Sequence, residues 1–270
     1  MEYKVEMKKK RLDELVLEQG LAETIEMARS LIMAGKIRSG DRVWEKAGEK
    51  ICCDVELERK DQPCRWVSRG GLKLEQAFST FVLSAQGCNC LDIGASTGGF
   101  THVLLESGAA RVVALDVGYG LLDQRVARDA RVVVKDRTNF RQAEISDLGG
   151  PFDLIVTDVS FISLRLILPR AYEMLQSHGK VVALIKPQFE APRGMVPEGG
   201  VITDAGTHFM VVNDLVEFMI HETKLSLVGL APVPLVSRKK NIEFVSLWEQ
   251  NSQGISQSQI KKIIADAHCR

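Results

Sequence analysis

Hydrophobic positions divide the chain into two regions with different periods. Near-helical spacing predicts two helices at the start, one carrying Leu12, Leu15 and Leu17, the other Ile25, Ala28, Leu31 and Ile32. Gly20 and Gly35 follow these stretches as helix stops. The next stretch, "IRSGDRVWEKAGEKICCDVELER", alternates as short strands do, with turns at Gly40 and Gly48. The pattern predicts a compact helix–helix–β unit that ends near Pro63.

From residue 88 onward, five apolar runs alternate with helical patterns. The predicted strands are "NCLDI", "RVVALDV", "RVVVKD", "FDLIVTDV" and "KVVALIK". Near-continuous apolar strands separated by helices indicate a parallel sheet covered on both faces. A helix over 205–222 and two β-like runs, "LVGLAPVPLV" and "NIEFVSLW", follow. The predicted fold class is α/β, a Rossmann-like sheet with a small α+β unit at the amino terminus.

Composition narrows the classes of function. The 270 residues include 35 basic and 35 acidic side chains, so net charge gives no general argument for a nucleic-acid partner. The charged amino terminus does not resemble a secretory signal, and no apolar run reaches the roughly 18 residues of a membrane helix. The six cysteines form no CxxC pair, which predicts reduced thiols and no metal site. Together these features predict a cytoplasmic protein without a membrane partner.

The stretch "LDIGASTGGF", residues 91–100, ends the first of the five strands in a glycine-rich turn. A dinucleotide fingerprint requires glycine where Ser96 stands, and a P-loop requires lysine where Phe100 stands. Ligands of open α/β sheets bind at the carboxyl ends of the strands. A cofactor with an adenosine and an amino-acid end, S-adenosylmethionine, fits this position better than a phosphate ligand does.

Three acids at successive strand ends strengthen this interpretation. Asp92 is predicted to face the methionine ammonium, Asp116 the ribose hydroxyls and Asp136 the adenine amino group. The alternative is that such turns and acids are common in any α/β protein. The predicted cofactor-binding residues are Asp92, Gly94, Ser96, Thr97, Gly98, Gly99, Asp116 and Asp136.

Four further charged residues indicate the chemistry. Asp158 and Lys186 end the fourth and fifth strands, Lys73 lies on a helix before the first strand, and Glu243 enters the last. Two lysines and two carboxylates suit deprotonation of a weakly acidic ribose 2′-hydroxyl, with Lys186 as the base or the orienting cation. Taken singly, each has a structural alternative, such as a surface charge, a helix cap or a strand-end lysine.

The chain resembles the TlyA family of ribosomal RNA 2′-O-methyltransferases, also called hemolysin-like proteins. The matching stretches are "VSRGGLKLEQA", "LDIGASTGGFT", "ALDVGYGLL", "DRTNFR", "DLIVTDVSFISL", "LIKPQFEA" and "NIEF". The resemblance implies the Lys-Asp-Lys-Glu tetrad of FtsJ-like enzymes at Lys73, Asp158, Lys186 and Glu243. It also implies an RNA-binding domain of the ribosomal-protein S-four type over residues 1–62, a linker over 63–70 and a methyltransferase domain over 71–270. The implied reaction is methylation of a cytidine ribose in ribosomal RNA, with ribosomal RNA or subunits as partner.

The predicted RNA contacts are local, because basic and acidic side chains nearly balance over residues 1–75. They are the "KKKR" run at residues 8–11 and the linker, where Trp66 could stack on a base or simply pack. The candidate residues are Lys10, Arg11, Arg29, Lys36, Arg65, Trp66 and Arg69. Two other classes of function stay open at this point, a non-catalytic RNA-binding or ribosome-assembly factor and a membrane-lytic protein.

Overall fold

The structure is a computed structural model that describes residues 9–39, 42–53, 55, 57–60, 65–234 and 241–269. It divides into two compact units, Met1–Arg65 and Trp66–Arg270. Lys8, the predicted turn at Gly40 and the predicted boundary at Pro63 lie outside the described residues. Residues 66–70, predicted to be part of a linker, belong to the second unit.

The described part of the first unit contains two short helices and five short strands. The helices are α1 (Leu12–Glu18) and α2 (Ile25–Met33); the strands are β1 (Lys9–Arg11), β2 (Ile37–Ser39), β3 (Arg42–Trp44), β4 (Lys50–Cys52) and β5 (Glu58–Arg59). Strand β1 pairs with β4, and β2 lies between β3 and β5, all antiparallel. The apolar stripes of the two helices meet in one core, which includes Leu12, Leu15, Ala28 and Ile32. The predicted succession of two helices and short strands is confirmed from α1 to β5, whereas β1, which precedes α1, was not predicted.

The second unit is built on a seven-stranded sheet. Its strands are β6 (Asn89–Ile93), β7 (Arg111–Leu115), β8 (Val132–Lys135), β9 (Phe152–Thr157), β10 (Leu175–Ile185), β11 (Leu225–Pro232) and β12 (Phe244–Gln250). Their order across the sheet is β11-β12-β10-β9-β6-β7-β8. The five predicted strands β6–β10 run parallel, whereas β12 and β11 join antiparallel at one edge. The predicted α/β class is confirmed.

Helices accompany the sheet of the second unit. They are α3 (Gly70–Thr80), α4 (Gly99–Glu106), α5 (Gln124–Ala127), α6 (Ile145–Leu148), α7 (Leu168–Glu173), α8 (Pro187–Glu190), α9 (Ala205–Glu222) and α10 (Gln257–His268). Helix α9 has the predicted bounds because Asp204 caps it, its carboxylate accepting from the Thr207 amide at 2.6 Å. The central parts of the strands are apolar because both faces of the sheet are covered there, as at Leu91, Ile155 and Phe244. None of the helices in the described residues is long and apolar enough to cross a membrane.

Candidate active site

The register of the sheet collects the ends of four strands at one edge. Ile93, the last residue of β6, pairs with Thr157, the last of β9. The residues that follow them, the glycine-rich turn and Asp158, therefore leave the sheet side by side. Ile185, the last residue of β10, pairs with Phe244, the first of β12, so Lys186 and Glu243 also meet at this edge.

Lys73, Asp158, Lys186 and Glu243 form one cluster of ion pairs, called here the tetrad. Asp158 is its centre: Lys186 Nζ lies 2.7 Å from Oδ1, and Lys73 Nζ donates to Oδ2 at 3.1 Å. Lys73 also donates to Glu243 Oε2 at 2.7 Å. Two ammonium groups and two carboxylates thus balance in charge, which allows Lys186 to be buried at 6% exposure.

The two lysines have different surroundings. Burial would lower the pKa of Lys73, but the carboxylates of Asp158 and Glu243 outweigh it and raise that pKa, which keeps Lys73 charged. Lys186 instead shares its ammonium between Asp158 and the hydroxyl of Ser160, whose Oγ accepts a hydrogen bond at 2.8 Å. Lys73 therefore suits electrostatic stabilisation, while Lys186 is the lysine with the fewer carboxylate partners.

A cavity of about 1460 Å³ joins the tetrad to the glycine-rich turn. Its lining includes residues 94–97, 99 and 100 of the turn, Asp116, residues 138–141 and all four residues of the tetrad. Pockets for a single drug-sized ligand have volumes of roughly 300–1,000 Å³. This cavity has room for a cofactor at the turn and a second ligand at the tetrad.

Gly94, Gly98 and Gly99 of the turn differ in their surroundings. Gly94 and Gly99 line the cavity, whereas Gly98 is not among the described residues that do. Gly98 has a φ of +89°, and a Cβ there would lie 2.7 Å from Leu122 Cδ1. A Cβ on Gly99 would lie 2.7 Å from the amide nitrogen of Gly71. The protein's own packing thus also requires glycine at positions 98 and 99, and the predicted contact of the three glycines with the cofactor stays a prediction.

Asp116 is the acid that faces the cavity beside the turn. Its Oδ2 accepts the Ser96 amide and its Oδ1 the Gly118 amide, both at 2.8 Å. A carboxylate has about four lone-pair sites, so each oxygen can still accept a ligand hydroxyl. Val117, which is 73% exposed, and Leu121 offer an apolar surface next to it in the same cavity. These residues fit a ribose with an attached base.

Asp92 and Asp136 have partners within the protein, and their predicted contacts with the cofactor stay predictions. Neither is among the described residues that line the cavity. Asp92 is 1% exposed and accepts from Thr101 Oγ1 at 2.6 Å, while burial raises the pKa of its carboxyl to about 7. Asp136 accepts the Gly120 amide at 3.0 Å. Both acids hold the backbone around the cavity, because their carboxylates are engaged by the loops and helices that form its wall.

Comparison with known proteins assigns the chain to a family. A family model described as FtsJ-like methyltransferase matches residues 66–250, and one described as S4 domain matches residues 10–52. The chain belongs to the FtsJ-like methyltransferase family. YqxC of Bacillus subtilis (strain 168), named as a candidate rRNA methyltransferase, is 43% identical over 267 residues, which cover 97% of this chain and 95% of that protein.

Two further relatives resemble this methyltransferase over most of its length. The 16S/23S rRNA (cytidine-2'-O)-methyltransferase TlyA of Mycobacterium tuberculosis (strain CDC 1551 / Oshkosh) is 40% identical over 243 residues, 88% of each protein. A solved structure of a candidate hemolysin from Streptococcus thermophilus superposes with a TM-score of 0.75 at 41% identity and covers 97% of both chains. These relatives confirm the resemblance to the TlyA family.

In the S4 domain, three of the predicted RNA-binding residues have carboxylate partners. Lys10 pairs with Glu18 at 2.6 Å, and both side chains are about half exposed. Arg11 and Arg29 both bind the fully buried Asp13, at 2.7 and 2.9 Å, and hydrogen bonds from Arg11 help to lower the pKa of this acid to about 2. Both arginines therefore neutralise a buried charge. Binding of phosphate by these residues, and by Lys36 between α2 and β2, stays a prediction.

The predicted linker residues separate into buried and exposed ones. Trp66 is 4% exposed, its ring meets His102 edge-on at 5.2 Å, and its Nε1 donates to Glu75 at 3.0 Å. The structure therefore gives Trp66 a packing role, because the buried ring has no face open to a base. Arg65 and Arg69 are exposed, and Arg69 lines the cavity.

Two residues of the methyltransferase site were not predicted from the sequence. Ser160 binds Lys186, and its position two residues after Asp158 in "TDVSF" was the available signal. Asn241 holds the segment beside the tetrad: its Oδ1 accepts the Ile202 amide and its Nδ2 donates to the Gly200 carbonyl, both at 2.8 Å. The signal for Asn241 in the sequence was its position two residues before Glu243 in "NIEF".

Proposed function

We propose that this chain transfers a methyl group from S-adenosylmethionine to the 2′-hydroxyl of a cytidine ribose in ribosomal RNA. The observation that carries the proposal is the tetrad, which places a buried, carboxylate-paired Lys186 in the same cavity as the glycine-rich turn. The S4 domain supports an RNA substrate. The name of the TlyA relative supports ribosomal RNA and cytidine.

The cavity divides the two ligands between its ends. The turn, Asp116, Val117 and Leu121 would bind the cofactor, with the carboxylate accepting from the ribose hydroxyls. S-adenosylmethionine supplies an electrophilic methyl carbon, and its sulfur leaves as a neutral thioether, so no acid is needed at that end. The tetrad would bind the target nucleoside at the other end.

The tetrad residues would activate the attacking oxygen. Lys186 accepts the 2′-hydroxyl proton at Nζ, or holds the hydroxyl in place as a cation, while the oxygen forms its bond to the methyl carbon. Lys73, kept charged by its two carboxylates, stabilises the negative charge that develops on that oxygen. Asp158 orients both lysines, and Glu243 orients Lys73.

The S4 domain would dock the RNA, and Lys10, Arg11, Arg29, Lys36, Arg65 and Arg69 are the proposed phosphate contacts. An enzyme that modifies ribosomes in this way would act in the cytoplasm.

The proposal is tested by mapping ribose methylation in ribosomes from cells with and without this protein. We expect one or more cytidine 2′-O-methyl groups to disappear with the protein and to return when purified protein and S-adenosylmethionine are added to the unmethylated subunits. Ribosomes that bind the protein but acquire no methyl group would instead identify a non-catalytic assembly factor.

A further inference from the structure

The contacts of the Lys186 side chain define the direction in which its nitrogen can react. In the described residues, its ammonium has two polar partners, Asp158 Oδ1 at 2.7 Å and Ser160 Oγ at 2.8 Å. Of these two contacts, only the one to Ser160 is a hydrogen bond, whereas Asp158 Oδ1 accepts no hydrogen bond from the described residues and attracts the ammonium by charge. The Ser160 hydroxyl is therefore the group that fixes one N–H direction of Nζ. Lys186 and Ser160 both line the cavity, where another direction of Nζ is available to a substrate hydroxyl.

Ser160 is held in place by the fold although it is exposed. The loop after β9 is tied to α8 by Glu190, whose carboxylate accepts from Ser163 Oγ at 2.6 Å and from the Leu164 amide at 2.7 Å. Next to Ser160, Phe161 has a φ of +63°, and its ring packs against Phe189 of α8 at 5.0 Å. The hydrogen bonds of Glu190 therefore hold the segment that directly follows Ser160 and Phe161.

We propose that Ser160 is a positioning residue for Lys186, one that fixes the direction of the nitrogen lone pair during methyl transfer. This inference rests on the proposed function of the site. In the charged state, one N–H group donates to Ser160 Oγ, while the carboxylate of Asp158 attracts the ammonium by charge. When the nitrogen is neutral, Ser160 retains one N–H group, which limits rotation about the Cε–Nζ bond and keeps the lone pair on the side of the cavity. The 2′-hydroxyl then gives its proton to that lone pair as its oxygen bonds to the methyl carbon and the sulfur leaves as a neutral thioether.

Removal of the Ser160 hydroxyl should allow Nζ of Lys186 to rotate without affecting the binding of S-adenosylmethionine or of RNA. In Ser160→Ala, the nitrogen can turn about the Cε–Nζ bond, so the lone pair is misdirected for part of the time. We expect single-turnover methyl transfer to fall on the order of 10-fold, as for loss of a charge-assisted hydrogen bond. The affinities for S-adenosylmethionine and RNA should not change. Ser160→Thr, which keeps the hydroxyl, should restore most of the rate.

The pH–rate profile separates positioning from a general structural defect. The ammonium loses a stronger hydrogen bond than the neutral amine does, so the rising limb of the profile should move to lower pH in Ser160→Ala while its plateau falls. Ser84→Ala is the matched control, because Ser84 is also exposed, and among the described residues its hydroxyl accepts a hydrogen bond from the Gln86 amide alone. Its profile should equal that of the unaltered protein.

Two results would overturn the inference alone. One is a pH–rate profile of Ser160→Ala whose plateau rate and rising limb equal those of the unaltered protein. The other is a Ser160→Thr variant that transfers the methyl group as slowly as the alanine variant. If the unaltered protein transfers no methyl group to ribosomal RNA at all, the proposed function fails first, so the two failures are distinguishable.

Discussion

Asp158 is the residue of the tetrad whose removal should destabilise the fold most. In Asp158→Ala, Lys73 keeps Glu243 at 2.7 Å, and its side chain is 24% exposed. Lys186 would keep only Ser160 among its described polar partners, and its side chain is 8% exposed. The substitution therefore leaves one buried ammonium without a counter-charge.

The expected magnitude follows from that burial. Breaking a buried ion pair by removing one partner costs about 3–5 kcal/mol, mostly because the remaining charge is uncompensated. For a unit the size of Trp66–Arg270, each kcal/mol lowers Tm by roughly 2–4 °C. The melting temperature of the second unit should thus fall by roughly 6–20 °C. Lys186→Met alone should destabilise the protein less, because Asp158 keeps Lys73 as its partner. The double variant Asp158→Ala/Lys186→Met should recover most of the stability that Asp158→Ala loses, because it buries no unpaired ammonium.

Differential scanning calorimetry of the single and double variants measures this coupling as a double-mutant cycle. Glu249→Ala is the control: its partner Lys180 lies at 2.6 Å in the same sheet, but the side chains of this pair are 27% and 43% exposed, more than those of Asp158 and Lys186, and the pair should contribute only about 0–1 kcal/mol. The reasoning is refuted if Asp158→Ala is no more destabilising than Glu249→Ala, or if Lys186→Met fails to relieve it.

Three further predictions concern the cofactor end, pH and the domains. Asp116→Ala should weaken S-adenosylmethionine binding by about 1.5–3 kcal/mol in calorimetry, and unchanged affinity in the folded variant would remove Asp116 from the site. Because burial raises the pKa of Asp92 to about 7 in the folded state, the contribution of this carboxyl group to stability should fall as pH rises from about 4 to 7. The free energy of unfolding of Asp92→Asn should therefore increase relative to that of the unaltered protein by on the order of 4 kcal/mol between about pH 4 and about pH 7, as measured by urea unfolding. An equal difference between the two proteins at both pH values would contradict this. Residues 66–270 alone should fold and bind S-adenosylmethionine yet methylate ribosomal subunits poorly, and full activity of this fragment would show that the S4 domain is dispensable.

The contact between Asp158 and Lys186 of the tetrad could be predicted from the sequence, because parallel strands end at the same edge of a sheet. Asp158 and Lys186 each follow a run of apolar residues, so their distance in the chain does not prevent contact in the fold. The bounds of α9 were also predictable, since its apolar period and its capping acid Asp204 are both local features. Local signals and strand order thus sufficed for the architecture.

The roles of single loop residues were harder to predict, because a sequence does not show which side of a loop meets the protein. Gly98 was assigned to the cofactor, but Leu122, more than twenty residues later, occupies the space beside it. Asp92 was expected to face the ligand, yet Thr101 on α4 takes its carboxylate. The antiparallel direction of β11 and β12 and the burial of Trp66 likewise depend on contacts between residues distant in the chain.

The central claim is that Lys186 activates the ribose hydroxyl, and it is tested most directly by single-turnover methyl transfer at saturating S-adenosylmethionine and RNA. Lys186→Ala should bind both ligands almost normally but react slower by a factor on the order of 10²–10⁴, the usual contribution of a general base. Lys186→Arg should not restore the rate, because a guanidinium keeps its charge but does not readily give up a proton. If Lys186→Ala reacts at the rate of the unaltered protein, the tetrad is a structural ion-pair cluster and the proposed mechanism is wrong.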